Sequence, residues 1–207
     1  MPDRLDPIRS AFDQRAERYD DSAMHRGLAG TVAEGLDLVG VETIVDIATG
    51  TGLVLRSIDG SGSASGIRLV GVDISPEMLR VAERELPSAE WIEADASHLP
   101  LADGSVDIAT CVTALHIIPD VPAALGEWTR VLRAGGHLVT ASFASPHLSG
   151  ITSPTSARPY PTDHDPYATA EAIAATFAPH GFILASHTTW TDGTDTVLIA
   201  DFLSAAG

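Results

Sequence analysis

The chain has 207 residues, a net charge of −16 and one cysteine. That length suits a single domain, spanning 1–207, that can bury roughly 70% of the surface its unfolded form exposes. The charge, with the basic residues scattered rather than gathered in a stripe, argues against a nucleic-acid partner, and the lone Cys111 excludes an internal disulfide.

All twelve basic residues are arginine, which removes Schiff-base chemistry and a P-loop lysine. Cys111 sits in an apolar run and reads as a core residue. The opening MPDRLDPIRSAFD has no apolar signal core, and no apolar run nears the ~20 residues of a membrane helix, so a cytoplasmic protein without a membrane span is expected.

In chain order, Phe12, Ala16 and Tyr19, then Leu28, Val32 and Leu36, carry helical spacing and predict two N-terminal helices within 1–40. The core, 43–207, opens with a strand at Thr43 to Ile47, a helix from about Leu53, a Gly/Ser loop from Asp59 to Gly66, and a strand at Arg68 to Val72. Ser75-Pro76 provides an N-cap and first helical residue, with Met78, Leu79, Ala82 and Leu86 on the buried face. Trp91 to Ala94 and Ser105 to Val112 read as strands, and Val121 to Leu132 as a helix ended by Gly135-Gly136. His137 to Phe143 is the fifth strand, Ser145 to Pro166 an irregular loop, and Thr169 to Phe177 a helix. Phe182 to Trp190 and Thr196 to Leu203 should pair as an antiparallel hairpin. The expected fold is α/β: a doubly wound, seven-stranded, mostly parallel sheet with that hairpin at one end and a ligand crevice at the carboxyl ends of the first strands.

The crevice has a recognisable floor. In TIVDIATGTGLVL (43–55) a buried strand ends at an acid and a Gly-Thr-Gly turn. Gly50 and Gly52 lack Cβ, so a ligand can lie against bare amide groups at a helix start. A dinucleotide fingerprint would place a third glycine where this chain has Leu55, which obstructs the close helix-to-strand approach. Asp73, at the tip of the second strand in VGVDISPEML, can accept hydrogen bonds from both hydroxyls of a ribose. Asp95 can take the exocyclic amine of an adenine while the Ala96 amide meets a ring nitrogen, and Ile74 would cover the adenine face.

With these residues the chain resembles the class I S-adenosylmethionine-dependent methyltransferases, close to the ubiquinone and menaquinone group that acts on small molecules. The resemblance covers nearly the whole chain: the opening Phe12-Asp13-Gln14-Arg15-Ala16-Glu17-Arg18-Tyr19-Asp20, the turn Asp46 to Gly52, Asp73, Asp95-Ala96, and RVLRAGGHLV from Arg130 to Val139. It implies that Asp46, Ile47, Ala48, Gly50 and Gly52 line the methionine half of the cofactor, with Thr113 and Ala114 beside the sulfonium and Tyr19 folding over it. Ala48 stands where many relatives have glycine.

Methyl transfer needs an acceptor lone pair aligned with the methyl–sulfur bond, so holding the reactants close, aligned and dry supplies most of the rate. An acceptor hydroxyl or acidic carbon makes a base useful, and His116 in CVTALHIIPD is the candidate. His25, His147 and His164 lie on segments able to cover the pocket. The cluster Asp163-His164-Asp165 with His147 reads as a solvated Pro-rich loop, so no metal is expected. Two other readings stay open: an NAD(P)-dependent oxidoreductase, and an S-adenosylmethionine-binding protein that transfers no methyl, as a partner subunit or a cyclase. Acceptor identity and oligomeric state are likewise open.

Overall fold

Apolar strands too uniformly hydrophobic for a surface sheet need cover on both faces, and the chain supplies it with helices. In a computed structural model describing residues 4–144 and 159–205, one sheet contains β1 (Thr43–Ile47), β2 (Arg68–Asp73), β3 (Glu90–Glu93), β4 (Val106–Val112), β5 (Leu132–Phe143), β6 (Phe182–Thr191) and β7 (Thr196–Ser204). Their order is β3-β2-β1-β4-β5-β7-β6. The first five are parallel, and β7 runs antiparallel between β5 and β6. The order reverses between β1 and β4, and a crevice opens at such a switch point.

The helices are α1 (Asp6–Asp13), α2 (Ala16–Tyr19), α3 (Ala23–Glu34), α4 (Leu53–Gly60), α5 (Pro76–Glu85), α6 (Val121–Val131) and α7 (Ala170–Phe177). Every residue of β1 is buried. Val45 and Ile47 join the core under α6 and α7, with Trp128 and Phe177, while Ile44 joins the opposite core with Leu28 and Val32 of α3 and Leu55 of α4. Leu55 is fully enclosed there. Among the described residues no helix is long and apolar enough to cross a membrane.

Three expectations are corrected. The N-terminal region holds three helices rather than two, because the chain breaks at Arg15 (φ −111°, ψ 0°). On the near side of that break Asp13 is claimed by α5: its Oδ1 accepts from the Ser75 hydroxyl at 2.6 Å. The Gly135-Gly136 pair does not end a helix. Helix α6 stops at Val131, Leu132 is already extended, and β5 begins there, five residues earlier than expected. Leu132 pairs with Val106 and His137 with Ile108, so the glycines occupy a bulge. A Cβ on Gly136 would lie 2.9 Å from the Arg133 carbonyl and 3.0 Å from that of Asp107, and Gly135 has φ +70°. Finally, the expected irregular loop from Ser145 includes a 3-10 turn at Asp165–Tyr167; His147 and the rest of 145–158 lie outside the described residues.

Candidate functional site

The β1–α4 turn has an unusual backbone. Ala48, Gly50 and Gly52 take φ of +55 to +78°, and the only other non-glycine with positive φ among the described residues is Thr113 (φ +56°), just beyond β4. For alanine the conformation is uncommon, and for β-branched threonine it is strained. Such outliers persist where the surroundings enforce them, often at ligand sites.

Side chains lock this geometry. Asp46 is buried in β1 and accepts from the hydroxyls of Thr49 and Thr110, both at 2.6 Å. Burial pushes its carboxyl up to about 6, against the pull of those two hydroxyls. Asp73, at the end of β2, accepts from the Gly50 amide through Oδ2 and the Ser75 amide through Oδ1, both at 2.8 Å. Burial raises it to about 6 as well, partly offset by these amides. Asp95 holds the Ser97 amide at 2.9 Å, and the Ala96 carbonyl accepts from the Trp128 indole at 2.8 Å. The acidic tips of three strands are therefore fixed in place.

Helices α1 and α2 close over the strand ends. Asp20 accepts from the Thr51 hydroxyl (2.5 Å) and pairs with Arg56 (2.6 Å), and the Arg9 guanidinium donates to the Ile74 carbonyl at 3.0 Å. Phe12 and Tyr19 pack beside Ala16, Met78 and Val81.

Three adjoining chambers result. The first is bounded by Ala48, Gly50, Asp73, Ile74, Asp95, Ala96, Thr113 and Ala114 from the sheet side and by Leu5, Ile8, Phe12 and Tyr19 from the cover. A second, inner chamber brings Asp46, Ala48 and Thr49 against His25 and Leu28 of α3. A third, outer chamber is walled by Phe12, Arg15, His25, His116, Phe143, Tyr160, His164 and Asp195. Tyr19 and Thr113 line all three and are hydrogen-bonded through their side chains. Burial pushes the Tyr19 hydroxyl up to about 12.

The sequence-expected residues distribute accordingly. Tyr19, Ala48, Gly50, Asp73, Ile74, Asp95, Ala96, Thr113 and Ala114 meet in the first chamber and Asp46 in the second. Ile47 points into the core. Gly52 faces away from the chambers: a Cβ there would sit 2.5 Å from the Trp91 ring, which also covers Gly71. His116 is in the outer chamber, stacked on His164 (centroids 4.2 Å apart) with Phe143 edge-on. Among the described residues no group of three or more His, Cys, Asp or Glu side chains is placed to hold a metal.

Sequence reasoning missed Leu5 and Ile8, although the strongly amphipathic α1 carried a signal for them. It missed Tyr160 and Asp195, which reach the outer chamber from far along the chain and carry no local signal.

Residues 45–140 match the family model described as "Methyltransferase domain". The demethylmenaquinone methyltransferase of Paenarthrobacter aurescens (strain TC1) is 32% identical over 149 residues, covering 69% of this chain and 57% of that protein. The chain thus spans little more than half the length of that relative. Among solved structures, a chain of the Haloferax volcanii complex between the Trm112 methyltransferase activator and a methyltransferase superposes with a TM-score of 0.75 at 22% identity, over 93% of this chain and 97% of that one. The 1,6-didemethyltoxoflavin-N1-methyltransferase of Burkholderia thailandensis, solved with 1,6-didemethyltoxoflavin and S-adenosylhomocysteine, gives 0.72 at 16% identity over 96% and 87%. At these identities the two structures speak for the fold.

Proposed function

We propose that the chain is a class I S-adenosylmethionine-dependent methyltransferase, a reading that its match to the methyltransferase-domain model and its likeness to a demethylmenaquinone methyltransferase support, and that it transfers the methyl group of S-adenosylmethionine to a small-molecule acceptor. The observation that carries this reading is the meeting of three chambers at Tyr19 and Thr113. One chamber has acids suited to a ribose and an adenine, one has a buried carboxyl suited to an ammonium, and one has rings suited to an acceptor.

The donor set fits the cofactor. Asp73 would hold the ribose hydroxyls, Asp95 and the Ala96 amide the adenine edge, and Ile74 its face. Asp46, Ala48 and Gly50 would receive the methionine end. When bound there, the cofactor supplies an electrophilic methyl on a positively charged sulfur. The chain's own contribution is to orient that end, to bring the acceptor up to the Tyr19–Thr113 junction, and to exclude water with α1 and α2. The net charge of −16 favours a small acceptor over a nucleic acid.

The test is turnover. Wild-type protein incubated with S-adenosylmethionine and a panel of small hydroxyl, amine, thiol and acidic-carbon acceptors should form S-adenosylhomocysteine with at least one of them. Tight cofactor binding with no S-adenosylhomocysteine across the panel would instead favour a binding protein that transfers no methyl.

A further inference from the structure

His25 has a place in the site that no other described histidine shares. Among the described residues it is the only histidine lining both the inner chamber, beside Asp46, and the outer chamber, beside Phe143 and Tyr160. Helix α3 fixes its backbone: the His25 amide donates to the Ser22 hydroxyl at 3.3 Å, forming the N-cap. Its ring lies flat on Tyr19, with centroids 4.4 Å apart and planes 12° apart. The Nδ1 atom is enclosed and has no well-formed hydrogen bond, which leaves Nε2 to face the chambers. His116, by contrast, lines only the outer chamber, where it stacks on His164.

We propose that His25 takes the proton from the acceptor, and that the acceptor is a planar molecule whose hydroxyl oxygen receives the methyl group. This rests on the methyl-transfer reading above. The planarity is argued from the composition of the walls: Phe12, Tyr19, Phe143 and Tyr160 together with three imidazoles line the outer chamber, and rings in contact pack best against another ring. In the step, the acceptor O–H proton passes to Nε2 and an oxygen lone pair forms the new O–CH3 bond. The S–CH3 bond breaks with its electrons remaining on sulfur, giving a neutral thioether. The imidazolium then releases its proton to water.

The electrostatic surroundings suit that duty. The groups facing His25 are Arg15 between α1 and α2, Tyr19 and Asp20 at the end of α2, and Asp195 in the β6–β7 turn. Asp46 shares its inner chamber, and His116 and His164 stand across the outer one. Burial first, then Arg15, holds the imidazole below its ordinary value, against a hydrogen bond to the Tyr19 backbone and the charges of Asp195 and Asp20. The ring is therefore neutral near pH 7 and keeps a lone pair for the proton.

The experiment uses full-length protein saturated with S-adenosylhomocysteine, so no turnover is required. The probe is p-nitrophenol, read by nitrophenolate absorbance across pH, with cofactor affinity measured separately by calorimetry. In wild type the bound phenol should ionise at lower pH than the free phenol. With each protein held at S-adenosylhomocysteine concentrations that its own calorimetric affinity shows to be saturating, His25→Gln should lose about tenfold of the bound phenolate below neutral pH, as when an ionisation moves up by about one pH unit. His116→Gln should weaken phenol binding without moving the pH at which the bound phenol ionises. Bound phenol ionising identically in His25→Gln and wild type would overturn the proposal, as would transfer of the effect to His116→Gln or failure of wild type to bind the phenol. Failure of wild type to bind S-adenosylhomocysteine is seen on its own in the calorimetry and overturns the cofactor reading, and this proposal with it.

Discussion

Replacing Asp73 with alanine is expected to weaken S-adenosylmethionine binding at least a hundredfold in a calorimetric titration. The carboxylate already accepts from the Gly50 and Ser75 amides at 2.8 Å, one on each oxygen. The Ile74 amide adds a weaker contact to the carboxylate, which has about four acceptor sites in all, and Asp73 is among the residues lining the first chamber. Hydrogen bonds to a charged acceptor contribute about 1.5–3 kcal/mol each, so losing two costs roughly 3–6 kcal/mol. Tenfold in affinity corresponds to about 1.4 kcal/mol, which places the loss at a hundredfold or beyond. Asp95→Ala, which removes a single partner of the adenine edge, should cost less. Wild-type affinity in a folded Asp73→Ala protein would contradict the assignment.

The second large effect runs through pH. Burial raises Asp46 to about 6, whereas an unfolded aspartate titrates near its ordinary value of ~3.9. Between those values the folded protein holds a proton that the unfolded chain has released. Stability therefore falls as pH rises from about 4 to about 6, and the lost increment is fully absent above the folded value. A separation of about two pH units corresponds to about 3 kcal/mol. Asp73, raised to about 6 by the same cause, adds a loss of the same sign.

Asp46→Asn isolates this contribution. Both carboxylate oxygens of Asp46 are contacted by hydroxyls, those of Thr49 and Thr110. A hydroxyl can turn from donor to acceptor, so an amide in that position can be satisfied. In denaturant melts Asp46→Asn should match wild type near pH 3.5 and exceed it at pH 7.5 by up to about 3 kcal/mol. Lower stability than wild type at pH 7.5 would show that the charged form is not the strained one. On the proposed reading, a bound ammonium at Asp46 and two ribose hydroxyls at Asp73 would relieve both.

Much of this architecture can be read along the chain because its determinants are local. The Thr43–Ile47 strand, the Ser75-Pro76 helix start and the Thr169 to Phe177 helix depend on neighbouring residues alone, and the structure has β1 at Thr43–Ile47, an N-cap at Ser75 and α7 at Ala170–Phe177. What periodicity cannot convey is long-range. The insertion of β7 between β5 and β6 depends on strand pairing across some 60 residues. The Gly135-Gly136 bulge looks like a helix terminator until the carbonyls of Arg133 and Asp107 are seen where a Cβ would be. The break at Arg15 follows from Asp13 reaching Ser75, a contact spanning 62 positions.

The candidate site divides the same way. Its acids stand at strand ends, where a motif can mark them. The outer chamber is assembled from Arg15, His25, His116, Tyr160 and Asp195, residues with no shared local pattern. The sequence thus pointed to His116, which follows the fourth strand, while the fold brings His25 to the wall that both chambers share.

One titration bears most directly on the cofactor. Wild-type protein should bind S-adenosylhomocysteine with one-to-one stoichiometry and give no heat with NAD or NADP, because Leu55, fully enclosed in the core, occupies the position of a dinucleotide fold's third glycine. Saturable binding of NAD or NADP, with none of S-adenosylhomocysteine, would contradict the account.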